Sequence, residues 1–372
     1  MARLIQFHPS VSGRDAIGNE MLALHRAARR AGIDSRIHAV DAGSVDGATV
    51  RDLRRLDVTG SDTLLIHYSL GHAAFDDLVE VGCRRLMLFH DVTPPELLCG
   101  APREIVENAR QGLERAGWVS GRCQAVAVHS NSSAASLSAW GGPRAEILPY
   151  LMRPELLKAE PDRATLAEAK LSGSTLLAAG RVLPHKRIED VILVYDYLRR
   201  ISARHWRLVV VGSTGHAPGY VESLASLCRK MGLPRVQFTG SVSQAEMNAW
   251  FRVARAFISM SVHEGFCVPL VEAMHHRAPV FALAAAATPE TLQGAGVTFE
   301  SPDWPAIAEA IDAVDQSPEL RKRILDRQDQ AVGAYEPAAA TQTWLDWLAG
   351  AGQGTDSASG AIWERKKRTA GH

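Results

Sequence analysis

"AFISMSVHEGFCVPLVEAMHH", residues 256–276, reads as a strand, a turn and a helix in immediate succession. The apolar run ending near Ser261 suits a strand buried on both faces of a sheet. Gly265 then offers a position where backbone can approach a ligand closely, and Pro269 suits the first turn of the helix "PLVEAMHH". The same rhythm recurs along the chain. In the first half, strand-like runs fall at 3–7, 35–40, 63–69, 84–90, 124–130 and 145–150. In the second they fall at 174–180, 207–213, 235–240, 254–261, 279–283 and 297–300, with helix-like stretches between. This spacing predicts an α/β fold of two doubly wound, Rossmann-like domains facing across a cleft.

A chain of 372 residues accommodates two domains of about 100 to 200 residues each. The polar segment "MRPELLKAEPDRATLAEAKLSG" (152–173) suits an exposed connection, which puts the domains at 1–152 and 173–335. A helical pattern over 336–349 follows, whose Trp344, Leu345, Trp347 and Leu348 need a surface to pack on. The tail 350–372, rich in Gly and Ser before a basic run, reads as flexible.

Composition excludes several classes of function. Lys plus Arg and Asp plus Glu each number 41, so no global positive charge favours a nucleic acid. The five cysteines are widely spaced with no C-x-x-C pair and read as reduced thiols. With no signal peptide and no apolar run of about 18 residues, a cytoplasmic protein is expected. None of the 14 histidines falls in an H-E-x-x-H spacing, and His275 and His276 cannot both reach one ion from a helix, so no metal is expected. The G-x-S-x-G turn of a serine hydrolase is also missing from the sequence.

Ligands of open α/β sheets bind outside the carboxyl ends of the strands. There the opening stretch places a helix N-terminus, whose free amides and dipole attract an anion such as phosphate. Glu264 precedes that helix and Glu272 lies about one turn into it. Carboxylates in such positions repel phosphate and accept hydrogen bonds from hydroxyls. A diphosphate with hydroxyl-bearing groups on both sides, as in a nucleotide sugar, fits the pattern. "AAGRVLPHKRIEDVI", after the first strand of the same domain, adds Arg181 and Lys186, two cations able to neutralise the diphosphate.

These motifs resemble the retaining glycosyltransferases of family 4, the glycosyl transferases group 1, which have the two-domain GT-B fold. "GRVLPHK" is similar to the family's Arg-x4-Lys pair, "EGFCVPLVEA" to its Glu-x7-Glu motif, and "PETLQGAGVTF" to the segment that follows. The resemblance is strong over 174–300. It implies that Arg181 and Lys186 bind the donor diphosphate and stabilise the departing charge, without a metal or other cofactor. It further implies that Gly265, Phe266, Cys267 and Val268 cradle phosphate and sugar. Glu264 would hold sugar hydroxyls, Glu272 the ribose, and Ser241 and Val242 the base. In the first half, "DAIGN", "HYSLG" and "FHDVTPPE" resemble a subgroup in which several members transfer mannose in polysaccharide assembly. Gly18 would then sit in a strand-to-helix turn by the cleft, and His90 would face the reacting sugar, donating a hydrogen bond or orienting the acceptor. The alternative for His90 is a helix-capping role, and His67 and His129 read as structural or peripheral.

The activity implied is transfer of a hexose, from GDP-mannose in preference to a UDP-sugar, to an acceptor hydroxyl of a glycan or lipid-linked saccharide. A sugar phosphorylase, a nucleotide-sugar epimerase and a non-catalytic nucleotide-sugar binding protein are the competing readings. The helix with Trp344 would pack back across the cleft. "LHRAARRAG" with "RDLRRL" is either a docking face for anionic lipid or a solvated surface.

Overall fold

The computed structural model describes residues 2–351 except Ser172 and Pro234. Most of the tail 350–372 therefore lies outside the described residues, its basic run included.

Fourteen strands form two sheets among the described residues. The first contains β1 (Arg3–Phe7), β2 (Asp34–Ala39), β3 (Gly43–Val45), β4 (Ala48–Asp52), β5 (Thr63–Tyr68), β6 (Arg84–Phe89), β7 (Ala125–Val128) and β8 (Glu146–Ile147). The second contains β9 (Ser174–Ala179), β10 (Trp206–Val211), β11 (Val236–Gly240), β12 (Ala254–Ser259), β13 (Val280–Leu283) and β14 (Val297–Phe299). Strand order is β3-β4-β2-β1-β5-β6-β7-β8 in one and β11-β10-β9-β12-β13-β14 in the other. All pairings are parallel except β3 with β4. Helices cover both faces, which is why a run such as "WRLVVV" in β10 is buried at every position. The two-sheet, GT-B-like architecture agrees with the spacing of the apolar runs.

Strand order reverses at β1/β5 in the first sheet and at β9/β12 in the second. A crevice opens at such a switch point because the flanking connections leave in opposite directions. The loops after β9 and β12 carry the two charged motifs, so the fold brings them side by side.

One local feature departs from the spacing read above. Asp46 and Gly47, with φ of 48° and 79°, make the tight turn that joins β3 to β4 and extends the first sheet at its edge. The segment between the sheets is also no bare connection. It forms helices Pro154–Leu157 and Arg163–Leu171, and Asn248 Nδ2 donates to the carbonyls of Leu156 (2.8 Å) and Ala159 (2.9 Å).

The last helix, Pro337–Gly350, returns to the first sheet. Trp344, fully buried, packs among Leu4, Leu65, Leu86 and Leu88, while its Nε1 donates to Pro149 O at 2.8 Å. Trp347 Nε1 donates to Glu146 Oε1 at 3.0 Å. Just before this helix, Tyr335 Oη donates to Thr291 O in the second half of the chain (2.6 Å). The crossing between halves thus spans only a few residues, anchored on both sides.

Candidate functional site

Helix Val268–His275 begins at Cys267, whose φ of 69° lies in the left-handed region. A residue with a β-carbon held there stores about 1–3 kcal/mol, which the surrounding packing must offset. Cys267 has no oxygen with which to cap the helix and makes no side-chain cap bond to it. Pro269 has no N–H and Leu270 N donates to Cys267 O at 3.1 Å, so what the helix start offers an anion is its dipole and the Val268 end of the turn. Arg187 (φ 52°) and Asp91 (φ 71°) are strained in the same sense beside Lys186 and His90. Such strain concentrates around functional loops.

The two charged motifs meet. Lys186 Nζ lies 2.5 Å from Glu264 Oε1, both side chains being largely buried. Their loops are also tied by backbone, since Val262 N donates to His185 O at 2.9 Å. Arg181 is exposed, and its charge helps to depress His185 in the second sheet and His8 at the end of β1. Burial above all pushes the His185 imidazole down to about 2, and its buried Nδ1 has no hydrogen-bond partner among the described residues.

Glu272 stands apart from the cations. Burial raises its carboxyl to about 7, with a hydrogen bond from Gln244 in partial opposition. Gln244 starts the helix Gln244–Val253, whose N-cap is Ser243 in a reciprocal capping box with Glu246. That box fixes the loop after β11, on which Ser241 is exposed and Val242 is partly buried. Ser241, Val242 and Glu272 thus share one end of the second sheet.

Gly265 makes a contact that the sequence did not announce. A Cβ at this residue would stand 2.4 Å from His90 O, so the missing side chain admits the backbone of the other half of the molecule. Gly265 O in turn lies 3.0 Å from Ser130 Oγ. Phe266 stacks on Tyr150 with centroids 4.9 Å apart and meets His129 at 5.9 Å. Glu290 caps the opposite helix, Asn131–Ala139, accepting from Asn131 N (2.8 Å) and Ser132 N (3.1 Å). The loop that carries Gly265 and Phe266 is therefore seated directly on the first half.

Gly18 contributes no free amide. It lies within the first turn of helix Ala16–Arg30, its N–H bound to the cap Asp15 at 2.7 Å, and a Cβ there would collide with Ser12 O. The turn near the cleft is Asp15 itself.

His90 is also held differently from the expectation of a donor. Gln6 Nε2 donates to Met21 O, which leaves Gln6 Oε1 to accept from His67 Nε2 at 3.0 Å. Burial holds both His67 and His90 well below the usual imidazole range, so the rings are neutral. His67 Nδ1 must then accept from His90 Nε2, 3.0 Å away. The remaining His90 nitrogen, Nδ1, carries a lone pair and faces Glu20 Oε2 at 3.8 Å. His129 Nε2 approaches the same oxygen at 2.9 Å, while its Nδ1 donates to Leu148 O at 3.0 Å. Burial opposes charge on His129, but the Glu20 carboxylate outweighs it and raises the ring's pKa. Sequence reading overlooked Glu20 and set His129 aside. The available signal was that His129, like His90, ends a strand at the carboxyl edge.

The basic surface is partly neutralised. Arg26 pairs with Glu155 and Arg54 with Asp52, while Arg29 and Arg30 stay exposed. Among the described residues, no helix is long and apolar enough to cross a membrane.

Comparisons with known proteins agree with this geometry. The family model described as "Glycosyl transferases group 1" matches residues 167–330, which include both charged motifs. The D-inositol 3-phosphate glycosyltransferase of Streptomyces coelicolor is 29% identical over 175 residues, 44% of this chain and 38% of that protein. The GDP-mannose:cellobiosyl-diphosphopolyprenol alpha-mannosyltransferase of Komagataeibacter xylinus is 27% identical over 176 residues, 46% of this chain and 44% of that protein. The matches thus span less than half the length of these curated relatives. In structure, Anabaena HepE, solved in complex with UDP and glucose, superposes with a TM-score of 0.74 at 15% identity, covering 94% of this chain and all of HepE. That likeness over both sheets shows a GT-B fold, and the segment 167–330, which holds the Lys186–Glu264 pair, is similar to the group 1 glycosyltransferases, with mannosyltransferases among the proteins it resembles.

Proposed function

We propose that this protein is a retaining glycosyltransferase that moves a hexose from a nucleotide-diphosphate sugar, with GDP-mannose favoured, to an acceptor hydroxyl of a glycan or lipid-linked saccharide. The observation that carries the reading is the junction of Lys186, Glu264 and the uncapped start of helix Val268–His275. Positive charge and the positive end of the helix dipole fit a diphosphate, with no metal needed at that point to balance it. Glu264, oriented by Lys186, accepts from sugar hydroxyls, and Glu272 accepts from the ribose. The mannosyltransferase relatives support the choice of donor.

In the reaction, the bond from the sugar's anomeric carbon to the diphosphate oxygen breaks as the acceptor oxygen bonds to that carbon on the same face. The acceptor proton passes to the departing phosphate oxygen, whose charge Arg181 and Lys186 stabilise. Glu264 is engaged by the ammonium of Lys186, which lowers its strength as a nucleophile and favours this course over a covalent intermediate. The test is incubation with GDP-mannose or UDP-glucose and saccharide acceptors, followed by NMR assignment of the product's anomeric configuration. Retention with GDP-mannose is expected. An inverted linkage, sugar release that depends on inorganic phosphate, or donor conversion without acceptor would each refute the reading.

Two further results are expected. Ribose hydroxyls donate to ionised Glu272, so binding favours loss of the proton that the free protein holds up to about pH 7. GDP affinity measured by calorimetry should rise from pH 6 to pH 8 and level off above, and Glu272→Gln should remove the part of this slope not due to the nucleotide's own phosphate. Gly265→Ala inserts a methyl group against His90 O and should prevent full seating of the donor loop on the first half. Misplacement on the ångström scale costs about 10²-fold in rate, so kcat should fall by that order while GDP affinity stays within about twofold.

A further inference from the structure

We infer that Glu20, His90 and His129 form a binding site for one divalent transition-metal cation of the zinc type, in the first half of the molecule and separate from the diphosphate site. Their ligand atoms, Glu20 Oε2, His90 Nδ1 and His129 Nε2, lie within 4.8 Å of one another. Three different elements deliver them: helix Ala16–Arg30 and the ends of strands β6 and β7. All three side chains are almost wholly removed from solvent.

The outer contacts define what these atoms can do. His90 Nε2 gives its proton to His67 Nδ1, and His67 is itself oriented by Gln6. His129 Nδ1 gives its proton to Leu148 O. A bound cation takes the place of the proton that His129 Nε2 shares with Glu20 Oε2 at 2.9 Å, after which each ring offers one nitrogen lone pair towards the same carboxylate oxygen. Three acceptors directed at a common point attract a cation. Glu20 Oε1 is meanwhile fixed by Leu151 N at 2.9 Å, so the carboxylate too is oriented from outside. A metal-ligating histidine donates its other N–H to a carbonyl or comparable acceptor in this way, which sets tautomer and ring direction. Two imidazoles with one carboxylate favour zinc and its neighbours over magnesium or calcium.

Zinc with metal–ligand distances near 2.1 Å needs its ligand atoms about 3.4 Å apart. Seating it spreads the His129–Glu20 pair and draws His90 inwards. Three protein ligands leave a four-coordinate ion one position for water or for a hydroxyl of a bound saccharide. Phe266, from the donor-side loop, packs against His129, so the ion would lie beneath the contact between the two halves.

The test uses the untagged full chain, stripped with chelator and titrated with Zn²⁺ in competition with a chromogenic chelator. One equivalent should bind with Kd below about 1 μM, and His129→Asn should weaken it by at least about 100-fold. The double variant His275→Asn/His276→Asn should bind as the parent does, which excludes that adjacent histidine pair. GDP affinity of each variant, measured on the same samples, reports folding and keeps this test distinct from that of the proposed activity. Because a variant of a buried residue can unfold the first sheet, Co²⁺ substitution in the unaltered chain gives a second readout. Intense visible bands of a four- or five-coordinate ion are expected. Substoichiometric zinc, equal zinc affinity in folded His129→Asn, or the weak spectrum of aqueous Co²⁺ would overturn the inference.

Discussion

Lys186→Ala should lower kcat by about 10²–10³-fold, the loss that follows when one preorganised partner of a developing anion is removed. It should also weaken GDP binding by more than about tenfold, since a charge-assisted hydrogen bond contributes about 1.5–3 kcal/mol. Lys186 neutralises Glu264, a side chain that is almost fully buried, so the substitution leaves a carboxylate without its mate. Loss of one partner from a buried pair costs about 3–5 kcal/mol. Both effects come from one ammonium group, and a second variant separates them. Lys186→Ala/Glu264→Gln removes the stranded charge and should recover most of the melting temperature while activity stays lost. If activity returns with stability, the role of Lys186 is only to hold Glu264. Unchanged GDP affinity in the single variant would remove Lys186 from the diphosphate site.

Trp344→Ala should destabilise the protein by about 3–5 kcal/mol, the range for deleting a buried indole. Trp344 is fully buried among leucines of the first sheet, and its Nε1 satisfies Pro149 O, which would lose its donor. The effect should exceed simple cavity formation in one respect. The helix carrying Trp344 belongs to the chain that leaves the second half through Tyr335, so its release also loosens the tether between halves. Chemical denaturation should show a lower midpoint, and small-angle scattering in native buffer should show a larger radius of gyration. A shifted midpoint with an unaltered radius would confine Trp344 to local packing.

The elements were largely legible because burial on both faces leaves a local trace. Runs such as "RLVVV" and "TLLIHY" became β10 and β5 within a residue or two. The hairpin of β3 and β4 escaped since its strands are short and partly exposed at a sheet edge, with only the Asp46-Gly47 turn to announce them. At the donor side, Arg181, Lys186, Glu264 and Glu272 were legible as residues that follow strands, the place where open sheets bind ligands. Their pairing was not. Lys186 and Glu264 are 78 positions apart and meet because β9 and β12 are neighbours in the sheet. Glu20 and His129 are 109 positions apart, and spacing rules built on one helix or one loop do not see such a pair.

Alternation of apolar runs with turn residues, a property of neighbouring positions, specified which segments became strands and left cations and carboxylates at their carboxyl ends. Tertiary packing specified which atoms those residues touch: docking of one half on the other sets Gly265 against His90 O, and packing within the first half turns a His90 lone pair rather than a proton towards Glu20. Side-chain chemistry is carried by the residue, whereas its partner and its tautomer follow from groups that arrive from distant parts of the chain.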